Sequence, residues 1–165
     1  MDRAAEYSQR FVAFLDILGF RDHLKTLKSP DPLFQMMTAS DSYRELSNVE
    51  MEWLGDAVIL CSRDDHPASF IQISYVANAL RYFFLARGFL IRGGVVFTAD
   101  FHNEKVWISP ALAEAYELES STAIYPRIVC STSVAERVLP AVASSPESGR
   151  KGIARPPRFH VISRP

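Results

Sequence analysis

The stretch FVAFLDILGF, residues 11–20, decides the reading of the fold. Arg10–Phe14 is short, apolar and β-prone, as a buried strand is, and it runs through Leu15 into Asp16. Ile17–Phe20 then turns the chain, and a helix is expected from about Gly19 through RDHLKTLK until Ser29-Pro30-Asp31-Pro32 breaks it. A carboxylate at the end of a buried strand, followed at once by a glycine turn and a helix start, combines a ligand for a cation with free backbone N–H groups that favour an anion.

Working outward, residues 33–46 read as a second helix, with Leu33, Met36, Met37, Tyr43 and Leu46 as its apolar residues. Val49–Leu54 and Ala57–Cys61 are β-prone runs that meet at Gly55-Asp56, a hairpin signature. Pro67 opens a helix to Arg87, with Phe70, Ile73, Val76, Ala77, Leu80 and Phe84 on one face and Gly88 as its cap. FLIRGGVVF, residues 89–97, is the next strand, and residues 101–108 suggest a short further one. Ser109 caps a helix to about Ser120. A strand over 126–131 and a helix over 132–139 complete the order. This is an α+β chain with a ferredoxin-like βαββαβ core, an α/β sandwich with additions. The domain is expected over residues 1–140, and 141–165 reads as a Pro/Arg-rich basic tail suited to an extended arm or a partner contact.

Composition sets the outer limits. The 165 residues suit one domain, and 48% hydrophobic with 22% charged residues indicates a globular chain. Eighteen basic and nineteen acidic residues give a formal charge of −1, which excludes a nucleic-acid polycation. No apolar run reaches the roughly 18 residues of a membrane span, and MDRAAEYSQR does not look like a signal peptide. The two cysteines, Cys61 and Cys130, lie in apolar runs and read as reduced, buried thiols of a cytoplasmic protein. Their number and spacing exclude a CxxC-type or Cys/His zinc site. The four histidines, His23, His66, His102 and His160, have no metal-ligand spacing and read as structural or surface residues.

Asp16 and Asp56 carry the candidate chemistry. In a split βαβ sheet the first strand neighbours the hairpin, so the two carboxylates can meet. They repel unless a cation or proton separates them, and hard oxygen ligands suit magnesium or manganese with substrate phosphates completing the shell. The same residues also suit an ordinary N-cap and an ordinary turn. Arg92 and Arg127 are the candidate cations for an anion, or else partners of acids such as Glu117 and Glu119. Residues 52, 54 and 56 fall on one strand face, so Glu52 is expected to face the same pocket as Asp56. Trp53 and Tyr43 are candidate stacking surfaces, or core residues.

FVAFLDILGF, LGDAVIL and LIRGGVVFT together resemble the catalytic domain of class III nucleotide cyclases, in order and spacing from about residue 10 to about 137. The resemblance implies metal ligation by Asp16, the carbonyl of Ile17, and Asp56. It also implies phosphate binding at Gly19 and Phe20, two divalent ions (Mn²⁺ or Mg²⁺), and a homodimer with its sites at the interface. It departs from the purine cyclases at four positions. Ala113 and Glu117 stand where that family has a helix Asn and Arg, Glu52 where it has a purine-selecting Lys, and a residue near Val106 where it has a purine-selecting Asp. ISPALAEAYELE and YPRIVCS look instead like the pyrimidine cyclases of bacterial antiphage systems called Pycsar. That implies UTP or CTP as substrate and a separate effector that reads the cyclic nucleotide; by strand face and stacking, Glu52, Trp53 or Tyr43 would contact the base. The rival readings are an adenylyl or guanylyl cyclase with a rearranged site, and a catalytically silent nucleotide-binding dimerisation module.

Overall fold

In the computed structural model, residues 6–26, 28–45, 48–103 and 106–143 are described. The first strand, β1, is Ser8–Leu18. It outlasts the expected run because Ile17 and Leu18 stay paired with Ile91 and Leu90 of a neighbouring strand. Gly19, at φ +75°, takes the left-handed conformation that ends the strand, and α1 (Phe20–Thr26) begins there. The expected helix over 33–46 is two pieces, α2 (Asp31–Ser40) and α3 (Ser42–Glu45), divided at Asp41. The Asp41 N–H turns back to the Thr38 carbonyl, an i−3 bond that tightens the end of α2.

The hairpin forms as expected: β2 is Val49–Leu54 and β3 is Ala57–Ser62, with Gly55 at φ +64° in the turn. Helix α4 (Pro67–Leu85) has His66 as N-cap, its Nδ1 accepting from the Ala68 N–H at 3.2 Å. Gly88, at φ +83°, turns the chain into β4 (Leu90–Asp100). Among the described residues, the short strand expected over 101–108 is a single bridge between His102 and Trp107. Ser109 Oγ then accepts from the Leu112 N–H at 2.8 Å and caps α5 (Pro110–Thr122). The chain closes through β5 (Ile128–Cys130) and α6, which runs to Ala143 past the expected stop at 139. The basic tail lies outside the described residues, apart from 141–143.

The sheet order is β2-β3-β1-β4-β5, antiparallel throughout except for the parallel β4–β5 pair. The first four strands have the ferredoxin-like order, and β5 extends the edge. Alternation along β1 divides the core. Phe11, Ala13, Leu15 and Ile17 pack under α4, against residues including Ile73, Val76, Leu80 and Phe84. Val12 and Phe14 face the other way, toward Ala111 and Ala115 of α5. Gly94 lets α5 lie close on β4: a Cβ there would sit 2.5 Å from the Ala115 carbonyl. On this second face an open groove lies beside α5, with Glu50, Glu52, Leu54, His102, Trp107 and Leu112 among its lining. Among the described residues no helix is long and apolar enough to cross a membrane.

Candidate active site

Register brings the two expected carboxylates together. Asp16 pairs with Ala57, so Asp56 in the turn stands beside the end of β1. The Ile17 N–H donates to the Asp56 carbonyl at 3.1 Å and fixes the turn against the strand. Burial, and then the charge of Asp56, raises the Asp16 carboxyl above its ordinary range, while Arg92 acts the other way. Two carboxylates are thus held close at the end of the sheet, at an electrostatic cost that a cation would relieve.

Arg92 is the cross-strand partner of Asp16 on β4. Its Nε lies 3.5 Å from Asp16 Oδ2 and also pairs with Glu119 Oε1 from α5. Glu119 is 2% exposed. Burial raises its carboxyl, Arg92 lowers it, and Asp16 raises it further. Arg92 therefore pairs with two carboxylates, Asp16 and Glu119, while Asp56 bears on Asp16 from the turn, so this end of the sheet carries more acid than base. This acidic excess, made of hard oxygen donors, fits divalent metal ions of the magnesium or manganese type. The Arg92–Glu119 pair is also one of the salt bridges that sequence reasoning kept as an alternative for Arg92.

The remaining expected residues divide. Arg127 is close to Arg92 through the sheet: its carbonyl accepts from the Gly93 N–H at 3.0 Å. Its Nη2, however, donates to the Thr122 carbonyl at 2.7 Å, at the end of α5, and its buried Nε has no hydrogen-bond partner among the described residues. Gly19 and Phe20 form the turn beyond Asp16, where the Gly19 carbonyl receives the Asp22 and His23 N–H groups. Glu52 pairs with Ile59, which packs with Val12 and Phe14, so it lies on the face of Asp16. There it accepts from Arg44 Nη2 at 2.9 Å. Trp53 and Tyr43 go elsewhere. Trp53 packs on Phe84, with ring centroids 5.7 Å apart, and Tyr43 on Phe83, at 5.9 Å, both with the α4 side of the core. Alternation along β2 is the reason: Glu52 and Trp53 are successive residues and face opposite ways.

Sequence reasoning did not find a second polar cluster on the Asp16 face. Asp100, fully buried at the end of β4, accepts from Trp107 Nε1 at 3.0 Å and lies 2.7 Å from His102 Nδ1. Burial works to raise its carboxyl, but hydrogen bonds from Ser109, His102 and Trp107 outweigh it and hold the group below its ordinary range. The signal was present: Arg92, Gly94, Val96, Thr98 and Asp100 alternate onto one face of β4.

No family model matches the sequence, and no curated protein matches it. Solved structures do. The monomeric guanylyl cyclase domain of the RhoGC fusion protein from the aquatic fungus Blastocladiella emersonii superposes with a TM-score of 0.67 at 18% identity, covering 82% of this chain and 88% of that one. The guanylate cyclase domain of RhGC from Catenaria anguillulae, in complex with GTP, gives 0.65 at 20% identity over 82% and 84%. The adenylyl cyclase CyaB from P. aeruginosa gives 0.64 at 17% identity over 84% of each chain. The chain has the fold of the class III nucleotide cyclase catalytic domain.

Proposed function

We propose that this protein is a metal-dependent nucleotide cyclase that converts UTP or CTP to the 3′,5′-cyclic nucleotide and pyrophosphate. The observation that carries the reading is the meeting of Asp16 and Asp56 at the end of the sheet, with Arg92 beside them, in a cyclase fold. Asp16, Asp56 and the Ile17 carbonyl would hold the metal ions. When bound, divalent cations lower the pKa of the ribose 3′-hydroxyl and neutralise charge on the triphosphate.

The 3′-oxygen attacks the α-phosphorus in line, the bond to the α–β bridging oxygen breaks, and pyrophosphate leaves with the electron pair. The 3′-hydroxyl proton passes to solvent. The chain's own part is positioning and charge. The backbone N–H groups at Gly19 and Phe20 receive the phosphates. Arg92, held by Glu119, faces the α-phosphate beside the metal carboxylates, and Arg127 supports the same end of the sheet from the next strand.

Pyrimidine selection rests on substitution at the purine-reading positions. Glu52 and the region of Val106 offer none of the expected purine contacts, Ala113 and Glu117 lack the helix Asn and Arg that steady the transition state in the purine enzymes, and Glu52 presents a carboxylate to the N–H donors of a pyrimidine edge. Trp53 and Tyr43 serve this reading as support behind β2 rather than as stacking surfaces. The resemblance adds a homodimer with two equivalent sites and a separate effector that responds to the product in antiphage defence, and the two reduced thiols add a cytoplasmic setting.

An equimolar mixture of ATP, GTP, CTP and UTP with Mn²⁺, with products resolved by mass, tests the substrate. A cyclic pyrimidine nucleotide is expected. A cyclic purine as the main product would overturn the substrate assignment and leave the metal site standing.

A further inference from the structure

Three side chains of metal-binding chemistry converge on the Asp16 face, away from Asp16 itself. Glu50 stands on β2, Cys61 on β3 and His102 just beyond β4. One ligand atom from each lies within 4.8 Å of the other two. The sheet builds this cluster: Glu50 pairs with Cys61 across the hairpin, and Cys61 with Val12 of β1. Val12 precedes Asp16 by four residues, so the cluster is about 13 Å along the strand from the first carboxylate pair.

The surroundings orient the ligands. His102 Nδ1 lies 2.7 Å from Asp100 Oδ2, and Nε2 lies 2.7 Å from Glu50 Oε2. A buried carboxylate on one ring nitrogen fixes the imidazole and leaves the other nitrogen to bind, the usual outer arrangement of a metal-bound histidine. The Asp100 carboxylate is itself anchored by Trp107 Nε1, and the His102 and Trp107 rings stack with centroids 4.7 Å apart. Cys61 does not turn its sulfur only to apolar neighbours: Sγ is 3.6 Å from Asp100 Oδ2.

Two guanidiniums flank the cluster, so its three anionic groups would leave a bound dication at a net charge of +1. Arg10 Nη1 is 3.3 Å from Glu50 Oε2, Arg10 Nε is 4.0 Å from Asp100 Oδ2, and Arg63 Nε is 3.9 Å from Glu50 Oε1. With the thiol proton released on binding, Glu50, Cys61 and Asp100 supply three negative charges against these two guanidiniums and the metal.

We propose that Glu50, Cys61 and His102 bind a thiophilic divalent cation of the zinc class, with Asp100 orienting His102. Mixed oxygen, sulfur and nitrogen donors select such an ion over magnesium. Three protein ligands leave a fourth position open to water or to a molecule in the groove. Spacing rules miss this site because its ligands come from β2, β3 and the segment just beyond β4. It does not depend on the nucleotide reading, since its test reads a spectrum and not turnover.

The full chain, in excess Mg²⁺ to fill the hard-oxygen pair, is titrated with Co²⁺ while the thiolate-to-cobalt charge-transfer band is followed. The band should saturate at one equivalent per chain and disappear on adding one equivalent of Zn²⁺. It should survive Cys130→Ala and vanish in Cys61→Ala. Asp100→Asn should weaken cobalt affinity about ten- to a hundredfold. Circular dichroism checks each fold, and His102→Gln serves if Cys61→Ala does not fold: it should lose affinity at least as strongly as Asp100→Asn. A titration with no saturable thiolate band, as a histidine merely bridging two carboxylates would give, overturns the proposal. So does a band that persists in folded Cys61→Ala or His102→Gln.

Discussion

Gly94→Ala adds one methyl group at the point where α5 crosses β4. The new Cβ would sit 2.5 Å from the Ala115 carbonyl oxygen, 3.0 Å from the Glu119 nitrogen and 3.0 Å from Leu118 Cβ, where ordinary contacts lie at 3.4–4 Å. The first two are backbone atoms of a helix and cannot swing away, so α5 must back off by most of an ångström. Overpacking of this kind costs about 1–3 kcal/mol. At roughly 2–4 °C per kcal/mol for a domain of this size, melting should fall by about 2–12 °C. The functional loss should be larger than that, because the moved segment carries Glu119, which holds Arg92 beside Asp16. A displacement near 1 Å in positioning groups can lower a rate about a hundredfold. The assay is a thermal melt together with turnover measured well below the melting temperature. A variant that melts with the wild type, or one that loses stability but keeps full turnover, would refute the argument that α5 positions Arg92 through this contact.

Other perturbations follow from the same geometry. Asp16 and Glu119 have raised carboxyls, so the native state holds more protons than the unfolded chain just above the ordinary carboxylate pKa. Their contribution to stability therefore falls as pH rises from about 4 toward neutrality. Asp16→Asn should flatten that fall in metal-free melts, and Mn²⁺ should stabilise the wild type more than the variant. Burial pushes the Cys130 thiol up to about 12, so it should resist alkylation at pH 8 until denaturant is added; fast labelling in the native state would contradict its burial. Asp100→Asn leaves a half-buried group, Trp107 Nε1 or His102 Nδ1, without its carboxylate partner. It should cost about 1–3 kcal/mol in a denaturant melt, and a loss below that range would mean that the cluster does not anchor the turn after β4.

Much of the fold was legible because the sequence signals were local. The apolar run ending at Asp16, the Gly55-Asp56 turn and the Ser109 cap each lie within a few residues, and each formed where it was expected. The break at Asp41 was not legible, because Leu33–Leu46 keeps a helical pattern on both sides of it. The extra pairing of Ile17 and Leu18 depends on β4 being long enough to meet them, which only the assembled sheet decides. The site shows the same division. Asp16 meets Arg92 and the Asp56 turn because β1 pairs in register with both β4 and β3. The opposite facing of Glu52 and Trp53 was available from alternation alone. Glu119 reaches Arg92 only because Gly94 admits the helix, and Glu50, Cys61 and His102 meet only because the sheet aligns β2 and β3 with the segment just beyond β4. Those are long-range consequences, invisible to spacing along the chain.

The most direct test compares wild type with Asp56→Ala, each incubated with UTP and with CTP in the presence of Mn²⁺, with cyclic nucleotide and pyrophosphate both quantified. The account predicts equal amounts of a cyclic pyrimidine nucleotide and pyrophosphate from the wild type, and neither from the folded variant. A folded, dimeric wild type that forms no cyclic product, or a variant that forms it undiminished, would contradict the claim that Asp16 and Asp56 are the centre of a cyclase site.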